Sequence, residues 1–170
     1  MRQFVDAMNR AVADRNGYAA LALALALPDM CGAIAYPDEP ASGDRYRMWW
    51  ARYMEPKYLS VIGGVIHQFL GGGDAWALRC AVLHLGSDNI EGQRAREALD
   101  RFEFVDVRVG QVHCTQTDRK LQLQLDIFCG DIADAVDRFL WDIGGDSLAM
   151  AKVAKTMTIS TLDPGAPVRL

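Results

Sequence analysis

The sequence predicts a mainly α-helical domain with a small antiparallel β-meander, at about residues 102–124, inserted before the last long helix. Three observations carry that expectation. Apolar side chains recur at helical spacing near both ends of the chain: Phe4, Met8, Ala11 and Val12, then Leu125, Phe128, Ile132, Val136, Phe139 and Ile143. Between them, Gly71 to Gly86 (GGGDAWALRCAVLHLG) reads as a short helix with Asp74 placed to cap its start and Gly86 to end it. Residues 102–124 instead alternate apolar and polar and are rich in Val, Phe and Leu. Residues 1–145 are expected as one domain, and 146–170 as a short helix and an irregular tail.

Taken in order, the first helix covers residues 2–15 and ends at Asn16-Gly17, a turn dipeptide. In residues 18–27, Leu21, Leu23, Leu25 and Leu27 alternate with alanine, yet both residue types favour helix and none is β-branched. This predicts a buried helix, interrupted at Pro28 and resumed to about Ala35. A loop follows at 36–43, and Ser42 is placed to cap a third helix. There Tyr46, Trp49, Trp50 and Tyr53 form an aromatic stripe at i, i+3, i+4 and i+7, read as core-facing, with a base-stacking platform as the alternative. Leu59, Ile62, Val65, Ile66 and Phe69 mark a fourth helix through Gly63-Gly64, with His67 off its stripe. The helix of Arg79 and His84 is fifth, and another is expected at about 91–101. Three strands follow: 102–109, 112–117 and 120–126. The last long helix carries a second, acidic stripe of Asp126, Asp134 and Asp137, on which Trp141 hints at a partner surface.

Bulk properties narrow the function. The 170 residues are 51% hydrophobic, which suits a folded domain with a real core. A net charge of −4 gives no prior for a general nucleic-acid binder but leaves room for a local RNA site. The four cysteines, Cys31, Cys80, Cys114 and Cys129, form no C-x-x-C pair and read as reduced thiols of a cytoplasmic protein. The first ten residues lack a signal-peptide core, and no uninterrupted apolar run reaches the length of a membrane span. Zinc-protease, P-loop and nucleophile-elbow motifs are absent, so no cofactor or metal is expected. His113 and Cys114 sit on a predicted strand, where neighbours point to opposite faces.

Arg79 and His84 remain. Five residues apart on an ideal helix, their side chains diverge by roughly 140° around the axis, although arginine is long and His84 stands in the last turn. A histidine can accept and donate a proton near neutrality, and an arginine can hold a phosphate and stabilise charge on it. Together they suit metal-independent RNA cleavage by 2′-hydroxyl attack. The plainer reading makes Arg79 one half of a buried or interfacial salt bridge, with Asp74, Asp88 or an acid of the last helix, and gives His84 a capping bond to backbone.

The run Arg79-Cys80-Ala81-Val82-Leu83-His84 resembles the R-x4-6-H motif of the HEPN superfamily (higher eukaryotes and prokaryotes nucleotide-binding). With LQLQLDIFCGDI downstream, the likeness extends over about residues 15–143 to small bacterial and plasmid-borne HEPN-like proteins. It implies a helical bundle and a homodimer formed through the face bearing the Arg79 helix, with the motifs of the two copies lining a shared cleft. It also implies a metal-independent endoribonuclease of toxin or defence type, with Arg79 and His84 as the catalytic pair and a protein antitoxin or regulator as a further partner. It equally admits a non-catalytic module for dimerisation or for binding nucleotide or protein. Cys80 departs from the Asn or Asp that often follows the arginine.

Overall fold

The computed structural model describes residues 1–107 and 110–159. The irregular tail expected at 161–170 lies outside them, as do Arg108 and Val109 of the first expected strand. Among the described residues the fold is mixed α/β, 55% helix and 14% strand, which corrects the mainly α-helical expectation. Its elements are α1 (Arg2–Ala13), α2 (Gly17–Ala35), α3 (Ser42–Tyr53), a 3-10 turn (Glu55–Tyr58), β1 (Leu59–Ile62), β2 (Val65–Gln68), α4 (Gly72–Leu85), β3 (Arg101–Val105), β4 (Thr115–Thr117), β5 (Lys120–Gln124), α5 (Leu125–Asp142) and α6 (Ser147–Ala154).

The core forms around α2, which lies against α1, α3 and α5. Asn16 caps α2 by accepting from the Ala19 amide at 3.2 Å. The helix then runs unbroken through Pro28, where an interruption was expected. The ring removes one donor, but Ala24, Leu25, Leu27 and Cys31 are fully buried on either side and hold the segment in place. At this length α2 is apolar enough to cross a membrane by composition, contrary to the sequence reading; here it is the central packed helix of the fold. Tyr46, Trp49, Trp50 and Tyr53 of α3 are buried, so the aromatic stripe is core and not a stacking platform. Trp50 stacks with Tyr46 and donates from its indole to the Leu70 carbonyl at 3.3 Å. Ser42 opens α3 but makes no cap bond.

The largest correction falls at 59–68, where an antiparallel hairpin replaces the fourth helix. Gly63 and Gly64 both have positive φ, +58° and +83°, as the tight hairpin turn requires. Val61, Ile62, Val65 and Ile66 are β-branched and favour strand. The helical spacing of the apolar residues was coincidental. The second sheet has the order β3-β5-β4, with β5 parallel to β3 and antiparallel to β4. Alternation revealed the strands and their buried face, Phe102, Leu121 and Leu123, but it does not fix which strands are neighbours. β4 forms two places away from β3 and the chain then turns back into β5 between them, so the expected antiparallel meander is instead a mixed sheet.

Asp74 is not the N-cap of α4. Gly71 holds that position, and Asp74 is buried in the first turn. Its carboxylate accepts the amides of Glu97 at 2.7 Å, Ala98 at 3.0 Å and Leu99 at 3.2 Å. Those amides are spent on a side chain rather than on a helical ladder, and residues 91–100 form turns where a helix was expected. The approach is close enough to need glycine at position 73, where a Cβ would stand 2.6 Å from the Ala95 carbonyl oxygen. At the other end, Gly86 adopts φ +62°, and the amides of Gly86 and Ser87 bond back to Val82 and Ala81.

Asp74→Ala strands three amide donors around a small apolar side chain. The expected loss is about 3–5 kcal/mol, with Asp74→Asn losing less because one acceptor oxygen remains. The urea unfolding midpoint checks this; an unchanged midpoint in the alanine variant contradicts it.

Candidate active site: the Arg79–His84 groove

The last two turns of α4 face α2 and the start of α3 across an open groove of about 470 Å³, lined by Asp29, Ser42, Arg45, Trp76, Arg79 and His84 among others. Arg79 and His84 meet there within one chain, with Nη1 of Arg79 at 2.9 Å from Nε2 of His84. The divergence around the helix axis is overcome by the length of the arginine and by the position of His84 in the last turn. A guanidinium has no acceptor, so Nε2 must accept and the imidazole proton sits on Nδ1. In that tautomer the Nε2 lone pair rests on a displaceable donor. Its side chain is exposed.

The rest of the guanidinium belongs to Asp29. Nε donates to Oδ2 at 2.7 Å and Nη2 lies 2.6 Å from the same oxygen. Both side chains are 20% exposed. Burial raises the Asp29 carboxyl above its ordinary range, opposed by Arg79. The Arg79 guanidinium also lies 5.1 Å from the centroid of the Trp76 ring. This fixes the plane of the guanidinium from two sides and leaves Nη1 to His84. Arg45 stands at the rim, donating to the carbonyls of Glu39 at 2.6 Å and Pro40 at 3.3 Å. With two arginines against one carboxylate, the groove is locally cationic in a chain of net charge −4.

The sequence therefore found the pair but not its partner. Neither Asp74, Asp88 nor an acid of the last helix pairs with Arg79; Asp29 does. One signal was present: Asp29 is the sole charged residue in the apolar run Gly17–Ala35, and a lone carboxylate in a core helix demands a partner. Cys80, next to Arg79, is no activated thiol, since burial pushes it up. His67 lies elsewhere, its Nε2 2.9 Å from Oε1 of Gln116.

A second cluster surrounds Asp131. Lys57 Nζ lies at 3.1 Å, Tyr58 donates its hydroxyl at 3.3 Å, and Nε2 of His113 is 3.8 Å away. Nδ1 of His113 accepts the Gln124 amide at 3.2 Å, which ties the segment before β4 to the start of α5. The thiol of Cys114 is pushed up to about 11 by burial and by Asp131, so the His113-Cys114 neighbours supply no nucleophile. No family model, no characterised protein and no solved structure matches the chain.

Burial lowers the His113 imidazole below its ordinary value of 6.5, partly offset by Asp131 and Asp126. As pH falls through that value the unfolded chain takes up a proton before the native one does. The contribution is complete above about 6.5 and shrinks as pH drops toward the folded value. His113→Gln is expected to flatten this limb of stability against pH in urea titrations; an identical slope in both proteins contradicts it.

Proposed function

We propose that the groove binds an RNA phosphodiester and cleaves it by 2′-hydroxyl attack, as a metal-independent endoribonuclease of HEPN type. The observation that carries this reading is the 2.9 Å contact between Arg79 and His84 on an open surface. A non-bridging phosphate oxygen takes the Nη1 donor that His84 holds in the free protein. That frees Nε2 as the general base. Nε2 accepts the 2′-hydroxyl proton, the 2′-oxygen attacks phosphorus, and Arg79 stabilises the negative charge that gathers on the phosphorane oxygens. The P–O5′ bond then breaks and the imidazolium returns its proton to the leaving O5′. The products are a 2′,3′-cyclic phosphate and a 5′-hydroxyl. Arg45 at the rim suits a neighbouring phosphate. A cytoplasmic setting, a homodimer and a protein antitoxin or regulator that covers the groove belong to the same reading.

The Asp29 ion pair favours a second reading. Two of the three guanidinium nitrogens already serve a carboxylate, as they would in a non-catalytic module that binds nucleotide or protein. Single-stranded RNA incubated in EDTA separates the two. On the nuclease reading the wild-type protein cuts and leaves cyclic-phosphate ends, while His84→Ala and Arg79→Ala each lose at least about 100-fold; a DNA strand of the same sequence stays intact. RNA or nucleotide binding without cleavage by the wild type supports the module. Equal cleavage by all three proteins overturns the assignment.

A further inference from the structure

The hairpin β1–β2 gathers five exposed large apolar side chains in one short segment. Leu59, Val61, Ile62, Val65 and Ile66 are 45 to 72% exposed. In the register of the hairpin, Val61 lies opposite Ile66 and Ile62 opposite Val65. Opposed residues share a face and successive ones alternate, so both faces of the arm are apolar. Among the described residues the sheet has only these two strands, which leaves an outer edge on each. A lone two-stranded ribbon is marginal in water, and an open edge with apolar flanks is a template for further pairing.

We infer that this arm is the seat of self-association, pairing with the same arm of a second copy of the chain. Charge is the first argument. From Tyr58 to Gly73 there is no Asp, Glu, Lys or Arg, although 24% of the chain is charged. Two molecules of net charge −4 repel each other, and the arm is the segment where they can meet without placing like charges in contact. The second argument is self-complementarity. Identical antiparallel edges related by a twofold axis satisfy each other's backbone donors and acceptors and join two apolar ribbons into one four-stranded sheet. The third is apolar continuity: edge pairing sets the Val61, Ile62, Val65 and Ile66 side chains of the two copies side by side on the faces of the joined sheet.

A lipid surface fits less well. The arm has no Lys or Arg to meet anionic headgroups and no Trp to anchor at the interface. Arg79 and His84 lie toward the far end of α4 from the arm, and their groove is complete in one chain. The cleavage reading also takes a homodimer, but the seat of association inferred here needs nothing from the groove and is tested without it.

Sedimentation velocity of the full chain tests it. The wild type is expected at twice 18.8 kDa, with amide exchange at residues 59–68 slowing as concentration rises. The double substitution Val61→Lys, Ile66→Lys is expected to weaken association by about 100-fold or more, with unchanged circular dichroism and melting. Trp141→Ser, at the exposed tryptophan of α5, is expected to leave the dimer intact. A wild type that stays monomeric overturns the inference, and co-sedimentation of that monomer with phosphatidylcholine or phosphatidylserine vesicles assigns the arm to a membrane instead. A lysine variant that remains dimeric, or a Trp141→Ser protein that dissociates, also overturns it.

Discussion

A single guanidinium organises the groove. Arg79 engages Asp29 through Nε and Nη2, lies beside the ring of Trp76, and reaches His84 through Nη1. The contacts to Asp29 and Trp76 orient the group. The contact to His84 sets Nε2 beside Nη1 and makes it the acceptor, with the ring proton on Nδ1. A half-buried arginine without Asp29 would be a charge without a counter-charge, and Asp29 without Arg79 the same in reverse. Neither is free to move while the other stays. The remaining corner, Nη1, is the one beside a potential base.

That arrangement depends on where α4 sits, and α4 is held from both ends. At its start, the Asp74 carboxylate gathers the amides of residues 97–99 and draws that loop over Gly73. At its end, Gly86 turns the chain away in a left-handed conformation and leaves His84 in the last turn. Trp76 packs on Tyr46 of α3 at a centroid distance of 5.3 Å, so the groove wall is continuous with the aromatic core. Other acids join α5 to α3 and the 3-10 turn, while the stripe of Asp126, Asp134, Asp137 and Trp141 faces solvent. Asp131 meets Lys57, which also reaches the exposed Asp134, and Asp142 meets Arg52 and the Tyr53 hydroxyl.

The helices were legible where apolar spacing and caps agreed. Gly86, the aromatic stripe of α3 and the α5 stripe behave as their spacing implied. The hairpin was misread because Leu59, Ile62, Val65, Ile66 and Phe69 fit a helical period. The two glycines and the β-branched residues around them carried the stronger signal, since a left-handed pair of residues ends any helix. The turns at 91–100 were beyond local reading, because a carboxylate from another segment takes the amides a helix would use. The strand pairing was illegible for a related reason: alternation defines faces and says nothing of neighbours. At the site, both predicted residues converge, while the pairing with Asp29 joins positions fifty apart, which no local pattern encodes.

The central claim is that Arg79 holds His84 through Nε2 within a single chain. Long-range proton–nitrogen correlation spectra of the imidazole test it most directly. The account predicts that neutral His84 carries its proton on Nδ1, with Nε2 in the acceptor state, and that Arg79→Ala returns the ring to the Nε2-protonated form common in free histidine. A ring already protonated on Nε2 in the wild-type protein, unchanged by removal of Arg79, contradicts it.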